Sequence, residues 1–248
     1  MRWAAMKQIY AWLTLIFTAT FVVSPAVTSP FTGFSADQLP IPQIDPPVQP
    51  AGYAFAIWGL IYSWLIVSAV FGVWRRAADK SWEAARRPLI LSLSIGTPWL
   101  WIANNSAIWA TITIMAMAIF AIIALVLAPR HDRWSLQAPV AIYAGWLTAA
   151  SFVSLGSTAA GYGVLLGGIG WAYLAIALAL AVTLAVMTLR PSAPEYAFPV
   201  IWALVGIIIP NLGMATGVAT VAAVGIIIVS FVIYRNQRKS RGSTSPAF

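Results

Sequence analysis

The sequence predicts an all-α membrane protein, a polytopic bundle of about eight transmembrane helices. Three observations carry this. Hydrophobic residues make up 61% of the 248 residues, and the mean hydropathy is +0.86. Charged residues are only 8%, against about 25% in an average soluble domain, too few to cover a soluble surface. Finally, the chain divides into eight apolar runs, none of which contains Asp, Glu, Lys, Arg or His.

The runs are Ile9–Val27, Tyr53–Trp74, Leu89–Ala103, Ala107–Leu127, Val140–Leu155, Val164–Leu189, Tyr196–Ile209 and Met214–Tyr234. A bilayer core takes roughly 20 helical residues, so the third, fifth and seventh are short. In lipid the backbone must satisfy its own hydrogen bonds, which makes each run a helix. Between the first two, residues 29–52 carry Pro30, Pro40, Pro42, Pro46, Pro47 and Pro50, too many for a helix to continue. Pro88 suits the first turn of the third helix, and Asn104-Asn105-Ser106 reads as a polar turn after it. Residues 156–163, rich in Gly, Ser and Thr, read as a flexible connection. Pro210-Asn211-Leu212-Gly213 splits the last apolar stretch into a hairpin.

The loop charges agree with this division. With the N-terminus inside, all 14 basic residues fall on the inner side: Arg2, Lys7, Arg75, Arg76, Lys80, Arg86, Arg87, Arg130, Arg133, Arg190, Arg235, Arg238, Lys239 and Arg241. The outer loops hold only Asp37 and Asp45. The positive-inside rule then places both termini of this multi-pass protein in the cytoplasm. The net charge of +8 is thus topology information and calls for no nucleic acid. The first run has a rival reading, a signal peptide cleaved near Ser24-Pro25-Ala26.

Composition also limits the chemistry. There is no cysteine, which excludes disulfides and thiolate metal sites, and a single histidine, His131, leaves almost no material for a metal centre or a Ser/His triad; no cofactor or metal is expected. The pair His131-Asp132 lies in a loop. The segment with Arg75, Arg76, Asp79, Glu83, Arg86 and Arg87 reads either as a short cytoplasmic helix or, in preference, as a solvated loop that sets topology.

The abundant residue is tryptophan, with 13 copies. Trp12, Trp74, Trp82 and Trp134 suit an interfacial belt on the inner side, and Trp99, Trp101, Trp109 and Trp171 one on the outer side. Trp58, Trp146 and Trp202 lie deeper, where a buried indole needs a partner for its N–H. Either they pack between helices or they line a cavity for a flat hydrophobic ligand. Trp58 and Tyr62 are four residues apart and share a helix face; Tyr143, Trp146 and Ala150 form a second stripe.

The stretch Pro50-Ala-Gly-Tyr53-Ala-Phe-Ala-Ile-Trp58-Gly-Leu-Ile-Tyr62 resembles the second helix of the TspO/MBR family, the tryptophan-rich sensory proteins related to the mitochondrial translocator protein. Tyr53 stands where Trp is common, and Ile57 where Val is usual. Pro98-Trp99, Trp109-Ala110 with Thr113 and Met115, and Tyr143-x-x-Trp146-x-x-x-Ala150 resemble the third, fourth and fifth helices, in order. The resemblance covers about residues 1–157. Family members usually stop after five helices, so this chain looks like a longer bacterial branch. It divides into a TspO-like part at 1–157, further helices at 158–234 and a basic tail at 235–248. The resemblance implies a five-helix bundle that binds tetrapyrroles such as protoporphyrin IX for sensing, transport or regulation. Carried over, Trp58, Trp109, Trp146 and Ala150 are the first pocket candidates, and Tyr53, Tyr62, Trp99 and Tyr143 the second. The acidic position of the family's fourth helix is Thr113 here, and Ser154–Ala160 replaces the polar tail of the fifth. Light-dependent porphyrin breakdown is the single activity that needs none of the missing acid–base groups.

Further signals are weaker. Tyr53-Ala-Phe-Ala-Ile-Trp58 recurs loosely as Tyr196-Ala-Phe-Pro-Val-Ile-Trp202, an inverted repeat of the kind found in secondary transporters. A transporter of a small neutral or hydrophobic solute is therefore the alternative function, although coupled transporters usually carry ionisable residues within their spans. Gly163-x-x-x-Gly167 and Gly213-x-x-x-Gly217 indicate close helix packing, within one chain or across a homodimer. Val232-x-Tyr234-x-x-x-Arg238 fits a proposed sterol motif that many membrane proteins match by chance. The expected partners are the lipid bilayer and a hydrophobic small molecule.

Overall fold

The computed structural model describes residues 2–242, with side chains described from 8 to 239 apart from residue 36. Arg2, Lys7, Arg241 and the tail beyond 242 therefore lie outside the described residues as far as their side chains are concerned. Among the described residues, nine α-helices follow one another: α1 Arg2–Val27, α2 Ile57–Arg76, α3 Lys80–Gly96, α4 Trp99–Asn105, α5 Ala107–Leu127, α6 Ala138–Gly161, α7 Gly168–Leu189, α8 Ala197–Asn211 and α9 Thr216–Gly242. A 3₁₀ segment, Gly52–Ala56, leads into α2, and another, Pro194–Tyr196, leads into α8. A π-type turn, Arg133–Gln137, leads into α6. Among the described residues, seven helices are long and apolar enough to cross a membrane. The third crossing is shared by α3 and α4, so the chain traverses the bundle eight times.

That third crossing differs from expectation at both ends. The helix begins at Lys80 rather than near Leu89, and Pro88 lies inside it. Asp79 caps its start by accepting from the Ser81 amide at 2.9 Å. Trp82 and Arg86, 1% and 2% exposed, anchor the early turns, so this stretch is packed structure and not a solvated loop. Trp82 is accordingly no belt residue. Arg86 donates to the Gly72 carbonyl at 2.9 Å and the Arg76 carbonyl at 3.1 Å, and so caps the C-terminal end of α2. The crossing breaks at Thr97-Pro98 and resumes as α4. Ser106 ends α4 and caps α5 through the Trp109 amide.

The fifth span is also longer than expected. The stretch 156–161 is helix, not a flexible connection, because its small residues let neighbours approach. A Cβ at Gly156 would meet Ala175, and one at Gly161 would run into Leu39. α6 is the central helix, packed against α2, α5, α7 and α8, and nearly all of it is buried. α7 begins at Gly168 and not at Val164, so Gly163 and Gly167 lie in the preceding turn and form no helix face. Gly217 packs inside the monomer, where the Tyr173 hydroxyl abuts it.

The described basic residues gather at one end of the bundle. There Arg76 pairs with Asp132 at 2.8 Å, Arg133 with Glu195 at 2.6 Å, and Arg87 with Glu83 at 2.7 Å. Arg190 donates to the Ala128 carbonyl, and Arg87 lies over the Tyr10 ring. The opposite end is tied by the proline-rich segment 28–51. Gln38 donates to the Ala103 carbonyl, the Ile41 amide to Gly161 and the Ala51 amide to Gly206, while Asn104 reaches Ser29 and Asn211 reaches Pro47.

Candidate ligand cavity

At this proline-rich end lies a cavity of about 240 Å³. Its walls come from Phe55, Trp58 and Tyr62 of the α2 segment, Trp99 and Leu100 of α4, Ile114 of α5, and Trp146, Ala149, Ala150, Val153, Ser154 and Ser157 of α6. Phe31, Gly33, Phe34, Gln49 and Pro50 of the loop cover it, and Pro25, Ser29 and Pro30 line its rim. Ala203 of α8 completes the wall. No charged side chain lines it.

Helical spacing builds the aromatic faces. Trp58 and Tyr62, one turn apart, stack with centroids 5.1 Å apart and planes 20° apart. Trp146 meets Trp58 edge-to-face at 6.2 Å and Phe55 at 6.1 Å. Phe21 of α1 sets its edge against Trp58, Tyr62 and Tyr143 from behind. Trp99 is fixed by its indole N–H, which donates to the Ala110 carbonyl at 3.0 Å, and Phe31 packs edge-on against it at 5.3 Å. Ala149 and Ala150 are small, and the space beside the indole of Trp146 is the space a larger residue would fill.

Of the eight residues singled out from the sequence, five line this cavity: Trp58, Tyr62, Trp99, Trp146 and Ala150. The other three lie elsewhere. Tyr143 is fully buried behind the wall, where it shares a hydrogen bond with Ser92 at 2.9 Å. Tyr53 is 42% exposed and packs edge-on against Trp202 at 5.6 Å. Trp109, 62% exposed, lies outside the cavity on the outward face of α5 and matches the belt reading. Sequence reasoning missed the loop residues Phe31, Phe34 and Gln49, since a proline-rich connection carries no helical period to place them. It also missed Ala203, which comes from a distant helix. Phe55 sat within the conspicuous motif and was legible there.

Two other features have structural roles. The ligand atoms of Asp79, His131 and Asp132 lie within 4.8 Å of one another. Both oxygens of Asp132, however, accept from the Arg76 guanidinium, and Oδ2 also accepts from the Trp82 indole at 2.6 Å. Positive charge is already supplied there, and the group reads as a pin between α2, α3 and the turn before α6. The loosely repeated aromatic segments meet: Trp202 donates to the Ala54 carbonyl at 2.9 Å, beside the Tyr53–Trp202 ring contact.

The fold and the cavity define a multi-pass helical membrane protein with an aromatic-walled pocket near its proline-rich end. A family model described as TSPO-like protein matches residues 8–235, from the first helix into the last, and the chain belongs to that family. No curated protein and no solved structure matches the chain.

Proposed function

We propose that this protein binds a flat hydrophobic small molecule of the porphyrin class in the cavity between α2, α4, α5 and α6, as a receptor or carrier. The observation that supports this best is the meeting of two aromatic stripes, Trp58/Tyr62 and Trp146/Ala150, across an uncharged space. Stacking and edge contacts suit a planar π-system. The volume is below the roughly 300–1,000 Å³ typical of drug-sized ligand pockets. A porphyrin would therefore enter by part of its ring, with its carboxylates outside the rim or with the loop displaced. Titration of the purified protein with protoporphyrin IX should quench tryptophan fluorescence, and Trp146→Ala should weaken the quenching. Quenching no greater than for free indole in the same detergent refutes the reading. Irradiation of the complex tests porphyrin breakdown: decay no faster than that of free porphyrin counts against it.

The alternative is secondary transport of a small neutral or hydrophobic solute. It draws support from the contact between the two related aromatic segments, which joins α8 to the segment leading into α2. Uptake into vesicles driven by an ion gradient would favour it. In either case the basic end faces the cytoplasm of a bacterial inner membrane. A homodimer would use lipid-facing surfaces outside the Gly217 contact, which is satisfied within one chain.

A further inference from the structure

A second, much smaller cavity lies between α1, α2 and α3, toward the basic end of the bundle, and shares no lining residue with the aromatic one. Helical spacing brings its polar walls together: Thr14 and Thr18 of α1, Ser68 of α2 and Arg86 of α3. A helical Ser or Thr commonly turns its hydroxyl back to the carbonyl one turn earlier. Thr14 does so to Tyr10, Thr148 to Ala144 and Thr183 to Ala179. Thr18 and Ser68 are buried, at 1% and 4% exposed, and make no such bond. Among the described residues their hydroxyls have no partner, and they are not sealed off: both are open to the cavity.

Arg86 adds a charge. Its guanidinium carries five N–H groups, and among the described residues its acceptors are the Gly72 and Arg76 carbonyls. It is buried, and the carboxylates of Asp79 and Glu83 act on it from a distance only. Asp79 accepts from Ser81, and Glu83 pairs with Arg87. A buried charge is ordinarily paired, and a cation within the depth of a membrane marks a site whose partner is to be named.

We propose that this cavity binds one monatomic anion, chloride in a cell, through Arg86 and the hydroxyls of Thr18 and Ser68. The chemistry follows from the donors. A guanidinium has only N–H groups to offer, and the two hydroxyls are free to turn their hydrogens to the same centre. The size follows from the space: about 10 Å³ takes one particle the size of a water molecule, so phosphate, sulfate and carboxylates do not fit. Water would serve the hydroxyls but leave Arg86 without a counter-charge. The anion joins α1, α2 and α3 away from the aromatic cavity, so the site does not depend on what binds there.

The test uses the full-length protein in neutral detergent, transferred to sodium gluconate and titrated with sodium chloride at constant ionic strength. The chloride nuclear magnetic resonance line should broaden in excess of a detergent control, and bromide should reverse the excess by competition. The melting temperature should rise with chloride to a plateau. Thr18→Val and Ser68→Ala, measured separately, each remove one hydrogen bond to a charged group and should weaken chloride binding about 12- to 160-fold. Thr18→Ser keeps the hydroxyl and should bind nearly as the unaltered protein does. Arg86→Met should abolish binding; should it fail to fold, the two hydroxyl variants decide. Absence of excess broadening, or a melting temperature that chloride does not raise, shows that the cavity takes water alone and overturns the proposal. Broadening that survives both hydroxyl variants unchanged comes from surface Lys and Arg and overturns it as well. Loss of porphyrin quenching would leave this site standing, and loss of the chloride response would leave the porphyrin reading standing.

Discussion

Asp132 shows how much one side chain carries at the basic end of the bundle. It receives Arg76 and Trp82 together, joining α2 and α3 to the turn before α6. Hydrogen bonding from Arg76 holds its carboxyl below the usual carboxylate range; burial opposes this, and Trp82 and the charges of Arg76 and His131 add to the lowering. A carboxyl lowered in the folded state stabilises fully above its ordinary value near 3.8 and loses that contribution as pH falls through the lowered folded value. Thermal unfolding followed by near-UV circular dichroism should therefore show a melting temperature that drops in acid below about pH 4. Asp132→Asn should be destabilised at neutral pH and show a flatter acid dependence; an unaltered acid profile would contradict the role given to this pair. Arg86 makes a second residue-scale case. It is buried, among the described residues it pairs with no carboxylate in a salt bridge, and it caps two carbonyls of α2. Arg86→Met leaves both carbonyls unserved and should cost about 1–3 kcal/mol in denaturant unfolding.

At the scale of elements, the segment 28–51 works as a cover over the cavity. It makes few backbone bonds of its own, and side chains fasten it to the helix ends: Gln38 to Ala103, Asn104 to Ser29, and Gln49 to the Thr32 carbonyl at 2.9 Å. Gly33, with φ +137°, lies against the Gln49 amide, where a Cβ would collide. A hydrogen bond nets about 0.5–1.5 kcal/mol, so the double variant Gln38→Ala/Asn104→Ala should favour opening of this cover by roughly 5- to 160-fold. Hydrogen exchange at the Ile41 amide, bonded to Gly161, checks this, with faster exchange there and unchanged exchange within α5. If Ile41 exchanges as before, the cover is held by its aromatic contacts and not by these bonds.

At the scale of the whole molecule, α6 joins the cavity to the last three helices. One side of it faces the cavity through Trp146 and Ala150, and Gly145 beside them faces the Tyr196 carbonyl so closely that any Cβ would run into it. Thr148 shares a hydrogen bond with the Tyr196 hydroxyl at 2.7 Å. Gly206 of α8 admits Pro50 at the cavity rim in the same way. Gly145→Val should therefore push α8 from α6, destabilise the fold by about 1–3 kcal/mol as overpacking does, and weaken ligand binding from a position outside the cavity. Melting temperature and porphyrin titration on the same sample check both effects. Normal stability with normal binding would show that the last three helices do not brace the site. With eight crossings, both chain ends are expected on one side of the membrane. Protease added to right-side-out vesicles should leave tags at both termini intact and cleave them only after lysis.

Some of this was legible in the chain before any fold was known. Trp58 and Tyr62 share a face because 3.6 residues make a turn, and the charge-free runs span a membrane because ions do not stay in lipid. The segregation of every Lys and Arg to alternate loops counted eight crossings, including a third that is broken at Pro98 and too short in any one piece. Local sequence could not place residues whose position depends on distant partners. By sequence Trp82 suits the belt and Arg86 a loop; Asp132 and the end of α2 bury them both. Residues 156–161 looked flexible because small side chains suit both a loose turn and a tight helix contact, and only the neighbours Ala175 and Leu39 distinguish the two. Trp109 and Trp146 carry the same side chain on neighbouring helices, one facing outward and one lining the cavity, because helix rotation within the bundle is set by packing. The sequence alone determined the membrane class, the number of crossings and the aromatic stripes, all of which follow from hydropathy, charge and helical period. The tertiary structure decided which aromatic residues enclose a cavity and what covers it, since those depend on what distant helices bring to one place.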